Sequence, residues 1–134
     1  MNGLYRLAGE NFLKGQLSWT TNTIRMVLLN DQYVPNLESH KYLKDIPNQA
    51  RIATSDSLAN KLATDGYAKS DPAIFYTLFN LDKVVAVVIY KATGAETTSN
   101  LIAYADEATG LPFKATGKDY YILYDLIFGG YFRI

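Results

Sequence analysis

The stretch that decides the fold is Lys83-Val84-Val85-Ala86-Val87-Val88-Ile89-Tyr90-Lys91, which places seven apolar residues between two lysines near the middle of the chain. Its apolar residues are mostly β-branched or aromatic, and Thr93-Gly94 follows as a turn signal. A short run of this composition is typical of a strand buried on both faces. It is too short to cross a bilayer as a helix, which takes about 20 apolar residues. We therefore interpret residues 83–91 as the central strand of the core.

A second apolar run follows the central one after a short break. It covers residues 99–105 and reads Ser-Asn-Leu-Ile-Ala-Tyr-Ala. The break contains the turn-forming residues, so the two runs are able to fold back on each other as a hairpin. We expect this hairpin to form the centre of the hydrophobic core.

Further elements are predicted on both sides of the hairpin. Apolar residues at helical spacing predict a short helix over residues 3–15, with Gly15 at its C-terminal end. Runs rich in β-branched and aromatic residues predict strands. These runs are residues 19–29, 51–54, 58–64 before the turn Asp65-Gly66, 73–79 closed by the turn formers 80–82, 119–125, and 126–134 around Gly129-Gly130.

Strands at short intervals with turn residues between them indicate a mainly β fold. We predict an antiparallel β-sandwich or barrel of about eight strands with a short N-terminal helix. A length of 134 residues favours one domain, covering residues 1–134, with the helix at 3–15 and the β domain at 17–134.

Composition excludes several classes of function. The chain has 13 basic and 13 acidic residues, so no net field favours nucleic acid or an anionic membrane as a partner. It has no cysteine, which removes disulfides, thiolate metal sites and thiol nucleophiles together. Its first residues show no secretory signal, so we expect synthesis and folding in the cytoplasm.

The sequence offers no catalytic constellation. His40 is the only histidine, and no spacing pairs it with any of Ser18, Ser39, Ser55, Ser57, Ser70 or Ser99. It also lacks the further ligands that a metal site needs, so it is interpreted as a surface or capping residue. Asp106-Glu107 and the distant pair Asp31 and Glu38 are interpreted as solvated loop carboxylates. We therefore predict no enzymatic activity, no catalytic residues, no cofactor and no metal.

Two loops are the candidate contact surfaces. Residues 32–49 lose all periodicity and contain Pro35 and Pro47, which makes this segment a long connection. Loops carry binding contacts more often than the strands that position them. We expect the loops at residues 31–47 and 91–100 to be displayed on the central hairpin.

Blocks of sequence in a fixed order run through residues 17–134. They are residues 23–29, 40–47, 50–55 with Leu58, 86–94, 99–106, 109–112, and Gly117. In this order they resemble a family of small virion-associated structural proteins of tailed bacteriophages. The chain departs from that pattern at its C-terminal end, which is richer in Tyr and Phe and has Leu126-Ile127-Phe128 where polar residues are commoner.

The resemblance implies a structural role without enzymatic activity or cofactor. It implies a virion protein, assembled in the cytoplasm of the host bacterium. A capsid decoration or cement protein fits best, as a homotrimer seated on the major capsid protein. The alternative is a tail or baseplate component, in which Tyr120, Tyr121 and Tyr124 would act as stacking aromatics. Strand alternation instead places Tyr120 and Tyr124 on one side with Ile122, and Tyr121 on the other, so packing is the simpler role.

Overall fold

The computed structural model describes residues 1–122 and residue 132, and for Asn80 and Leu81 it describes the backbone alone. The described part contains nine strands, one α-helix and two short 3₁₀ helices. The 3₁₀ helices are Leu43–Asp45 and Asn48–Ala50. In chain order the other elements are β1 (Asn2–Leu4), α1 (Arg6–Leu13), β2 (Ile24–Leu29), β3 (Arg51–Thr54), β4 (Leu62–Thr64), β5 (Tyr67–Lys69), β6 (Ala73–Val84), β7 (Ala86–Lys91), β8 (Leu101–Ala105) and β9 (Phe113–Ile122).

The main sheet has five strands in the order β1-β8-β7-β2-β3, and every pairing in it is antiparallel. β7 is its middle strand, with β8 on one side and β2 on the other. Residues 86–90 of β7 and all of β8 are buried. The predicted hairpin therefore forms the core, as its apolar composition indicates.

The boundary of the central strand differs from the prediction. Residues 83–91 do not form one strand, because the ladder is interrupted at Val85, whose N–H donates to the carbonyl of Leu29 at 2.8 Å. Lys83 and Val84 belong to β6 instead. The residues 80–82, expected to close the preceding strand, lie inside β6, which continues because β9 pairs with it along its length.

The N-terminal segment also corrects the prediction. The helix is shorter than residues 3–15, because Asn2–Leu4 pairs with β8 as an edge strand. Gly15 does end the helical segment, with a φ of 73° that a side chain would disfavour. The strand expected over residues 19–29 begins only at Ile24.

Two smaller antiparallel pairs complete the described fold. β4 and β5 form a hairpin, and the predicted turn at Asp65 and Gly66 has the two positive φ angles, 54° and 81°, of a type I′ turn. The expected strand over residues 58–64 is therefore shortened to β4. β6 and β9 form a long two-stranded ribbon. The predicted strand over residues 126–134 and its Gly129-Gly130 turn lie outside the described residues, apart from Phe132.

The fold is mainly β and antiparallel with a short N-terminal helix, as predicted. Among the described residues the main sheet is open, with β1 and β3 as its edges, so the arrangement is sandwich-like and not a closed barrel. α1 packs against β8, and β6 reaches β2 and β3. One cluster of buried apolar residues joins these layers, with Tyr5, Met26, Leu28 and Ile102 fully buried. This core supports the loops at residues 31–47 and 91–100.

Candidate interaction surfaces

The two loops predicted as contact surfaces, residues 31–47 and 91–100, lie side by side. The N–H of Leu43 donates to Ser99 O at 2.9 Å, and that of Lys44 donates to Glu96 O at 3.2 Å. Tyr42 and Asn100 form an isolated antiparallel bridge at the same place. The loops therefore make one continuous surface, which we call the loop platform.

Arg51 fastens the two halves of the loop platform together. Its guanidinium donates to the carbonyls of Leu43 and Ile46, at 2.8 and 2.6 Å, and forms an ion pair with Glu96 at 2.6 Å. The Arg51 side chain is only 17% exposed, so these charge-assisted bonds are shielded from water. β3 begins at Arg51 and thus carries the residue that sets the geometry of the platform.

Asp45 organises the first loop from within. Its Oδ2 accepts from the N–H groups of Lys41 and Tyr42, at 2.8 and 3.1 Å. Burial acts to raise the pKa of this carboxyl, but the two backbone donors together with the nearby charges of His40 and Lys44 lower it by more, and the net pKa lies below the ordinary value. The ionised carboxylate therefore stabilises the turn that precedes the first 3₁₀ helix.

The second loop is held by a group of hydroxyls. Thr93 Oγ1 lies 2.6 Å from Thr98 Oγ1 and 3.2 Å from Ser99 Oγ, and Ser99 Oγ also donates to Ala95 O at 2.8 Å. These contacts close residues 93–99 into a compact loop. Its outermost residues are exposed while Ser99 and Asn100 are buried.

A cavity of about 460 Å³ opens in the loop platform, between its second loop and the end of β7. Tyr90 and Arg25, from β7 and β2, lie against each other in the register of the sheet and line the cavity. Burial raises the pKa of Tyr90, and the nearby Arg25 and Arg51 charges reduce that rise. Both polar and apolar groups line the cavity. A mixed lining of this kind suits contact with the surface of another protein, in which a few fixed polar contacts accompany apolar ones.

His40 has the capping role that the sequence suggested. Its Nδ1 lies 2.8 Å from Tyr33 Oη and 3.3 Å from the N–H of Asn36. Because the amide can only donate, Nδ1 accepts in the contact with Asn36. The Tyr33 hydroxyl in turn lies 2.9 Å from the buried hydroxyl of Tyr5. His40 thus closes a chain of hydrogen bonds that anchors the first loop to the core.

The His40 ring makes its hydrogen bonds with Tyr33 and Asn36, and none joins it to a serine within the described residues. Ser55 and Ser70 are buried and donate to backbone carbonyls of the next residue, at 2.8 and 2.7 Å. Asp106 and Glu107 lie in a loop and are partly exposed, as the sequence interpretation expected, and both pair with the amino group of Met1. No group of three or more metal-ligating side chains occurs in the described part of the chain.

A second candidate surface is the outer side of the ribbon. Three aromatic residues stand there with large exposed fractions: Tyr76 at 64%, Phe79 at 68% and Tyr121 at 53%. We call this surface the ribbon face. Large exposed apolar side chains grouped on one surface mark interaction sites more often than isolated ones do.

Of the three tyrosines considered for stacking, the structure describes two. Tyr120 is half-buried and stacks on Phe113 with ring centroids 4.9 Å apart, so it packs as expected. Its hydroxyl also accepts from the N–H of Thr116 at 3.0 Å. Tyr121 points to the other side and belongs to the ribbon face, and Tyr124 lies outside the described residues.

The sequence alone did not identify Tyr76 and Phe79 as surface residues. Their strand is rich in apolar residues on both sides, so alternation alone does not show which side faces water. A positive φ of 48° at Thr77 marks an irregularity in β6, and both Tyr76 and Thr77 are exposed there. Only the pairing with β9 identifies the outer side.

Comparison with known proteins gives no family assignment: no family model matches the chain, and no curated protein is significantly similar to it. In the described residues, no helix combines the length and apolar character that crossing a membrane requires.

Proposed function

We propose that the chain is a structural protein of a tailed-bacteriophage particle, acting as a capsid decoration or cement protein that works by binding alone. It binds the major capsid protein, assembles as a homotrimer, and stabilises the shell in the virion after synthesis in the host cytoplasm. The observation that carries the proposal is the loop platform. The block at residues 40–47, which resembles phage virion proteins, is distant in sequence from the similar blocks at 86–94 and 99–106, yet it meets them at this one surface.

The construction of the loop platform suits such a role. Arg51, Asp45 and the Thr93 hydroxyl group fix both loops before any partner arrives, so little conformational entropy is lost on binding. Many copies bound to one shell add their contacts, and each contact then needs only modest affinity. A cement protein needs this combination of a preformed surface and many copies.

The tail or baseplate is the second candidate location, favoured by a different observation. The exposed Tyr76 and Tyr121 on the ribbon face have the side chains that stack on sugars or on protein partners. The two locations share the structural role and differ in the partner.

Immunogold labelling of phage particles with antibodies raised against the purified chain tests both locations. Label distributed over the head supports the decoration role, and label confined to the tail or baseplate supports the second candidate. Particles that carry no label at either place, alongside a positive label for a known virion protein, contradict both.

Binding through the loop platform is tested by co-sedimentation with particles that lack the chain. Thr97 is exposed at the second loop, and Thr97→Lys places a long charged side chain in the contact. We expect this variant to stay in the supernatant while the wild-type chain co-sediments. Thr64→Lys, the same change at an exposed residue of β4, is the matched control and should co-sediment. Equal binding by both variants would contradict the assignment of the surface.

A further inference from the structure

The ribbon face has two unlike halves. Tyr121 stands opposite Ile74 in one half, and Tyr76 is level with Asp119 because Phe75 pairs with Tyr120. In the other half Phe79 stands opposite Thr116, and farther along the ribbon Lys83 stands opposite Lys114. One half is therefore aromatic and acidic, and the other is basic, with Phe79 between them.

The charged residues Lys83, Lys114 and Asp119 have no oppositely charged partner among the described residues. Lys83 and Lys114 are both exposed and directly opposite each other, and neither has an ion pair among the described residues. Like charges in that relation destabilise an isolated ribbon. Asp119 is exposed, and its Oδ1 accepts from the N–H of Thr77 at 2.7 Å. No cation lies within pairing distance of Asp119 in the described residues.

The spacing of these groups fits a copy of themselves. Thr116, which stands opposite Phe79, lies three residues along β9 from Asp119 and two from Lys114, which is about 10 and 7 Å along a strand. A two-fold axis near Phe79 therefore brings the acidic half of one ribbon over the basic half of another. The reverse, head-to-head arrangement would place lysines against lysines.

We infer that the ribbon face pairs with the ribbon face of a second copy of this chain about a two-fold axis near Phe79. The exposed aromatic side chains bury one another, and Lys83 and Lys114 of each copy reach Asp119 of the other. A two-fold contact of this kind is self-complementary, as isologous interfaces are. It is separate from the loop platform, so it adds a link between neighbouring copies without depending on the proposed function.

Charge exchange on the full-length chain tests the inference, with mass measured by light scattering and sedimentation over a range of concentrations. The double variant K83E/K114E keeps a like-charge pair inside the ribbon, so its effect on folding is small. It places glutamates against Asp119 of the other copy, and we expect the dissociation constant to rise at least about tenfold. Adding Asp119→Lys to it should restore the wild-type mass. K14E/T64E, which places two glutamates at exposed residues outside both surfaces, should leave the mass unchanged.

Cysteine cross-linking locates the axis, because the native chain has no thiol. Phe79→Cys should form a covalent dimer on mild oxidation, since the two thiols lie near the axis. Leu13→Cys, at a 90% exposed residue of α1, should form no covalent dimer. The inference is overturned if K83E/K114E has the same mass as the wild-type chain. It is also overturned if the wild-type chain is monomeric and its ribbon lysines bind a single-stranded oligonucleotide.

The two proposals fail separately. A K83E/K114E variant that has a lower mass than the wild-type chain and still co-sediments with phage particles supports both the ribbon contact and the shell-binding role. A pairing chain that binds no particle supports the ribbon contact and contradicts the proposed function.

Discussion

Arg51 is the residue whose contacts reach furthest across the loop platform. It contacts the carbonyls of Leu43 and Ile46 in the first loop and the carboxylate of Glu96 in the second. Its planar guanidinium suits three acceptors in different directions, whereas a lysine would offer a single point of charge. One side chain thereby converts two loops into one surface.

Replacing Arg51 should loosen both loops together. We expect Arg51→Ala to lower the free energy of unfolding by about 2 kcal/mol, because two shielded carbonyls lose a charged donor. Urea unfolding measures the loss, and faster hydrogen exchange at the amides of Leu43 and Lys44 would show that the platform itself opens.

Glu96→Gln is the control for that experiment. Glu96 is about half exposed, so loss of its charge alone should cost less than about 1 kcal/mol. If Arg51→Ala costs no more than Glu96→Gln, the carbonyl contacts do not fasten the platform.

Asp45 gives the first loop a dependence on pH. Its folded-state pKa is lowered, so its contribution to stability is present above the unfolded-state pKa and is lost as the pH falls through the folded-state pKa. The wild-type chain should therefore exceed Asp45→Asn in stability near neutral pH, and the difference should shrink as the pH falls below about 4. Thermal unfolding of both chains across this range measures it. A constant difference would show that the Asp45 charge has no role.

At the scale of the elements, β6 and β9 show how tertiary pairing overrides local signals. Turn-forming residues 80–82 predicted the end of a strand, yet β6 continues to Val84 because β9 supplies a hydrogen-bonded neighbour. The ribbon adapts with shifts of register between Phe75 and Lys83. Irregularities of this kind re-aim side chains, and here they accompany the exposed Tyr76 and Phe79.

The ribbon should be stabilised by removing its like-charge pair. Lys114→Glu places a glutamate opposite Lys83, and we expect a gain of about 0.5 kcal/mol in unfolding free energy, smaller at high salt. Lys118→Glu is the control, because Lys118 stands opposite Leu78 and meets no like charge there. Urea unfolding at low protein concentration checks both, and equal effects would contradict the cross-strand explanation.

Local composition identifies some elements better than others. β7 and β8 were predicted because their runs of β-branched and aromatic residues leave few alternatives. β1 was not, because a three-residue strand containing Gly3 is defined only by its pairing with residues 103–105, about a hundred positions away. The two loops of the platform were each predicted, but their contact depends on the Tyr42 and Asn100 bridge, which no local pattern encodes.

At the scale of the whole molecule, one antiparallel core presents two separate surfaces. The loop platform lies at the ends of β7 and β8, and the ribbon face lies on a different pair of strands. The platform is preformed by hydrogen bonds and ion pairs, while the ribbon face is aromatic with charges at its two ends. Under the two proposals, one surface of each copy binds the shell and the other binds a neighbouring copy.

The most direct test of the structural role is a reconstruction by cryo-electron microscopy of particles saturated with the purified chain. The account predicts additional density of the size of this fold at repeated positions on the head, with residues 31–47 and 91–100 turned toward the major capsid protein. Heads without such density, or copies attached with the loop platform facing solvent, would contradict it.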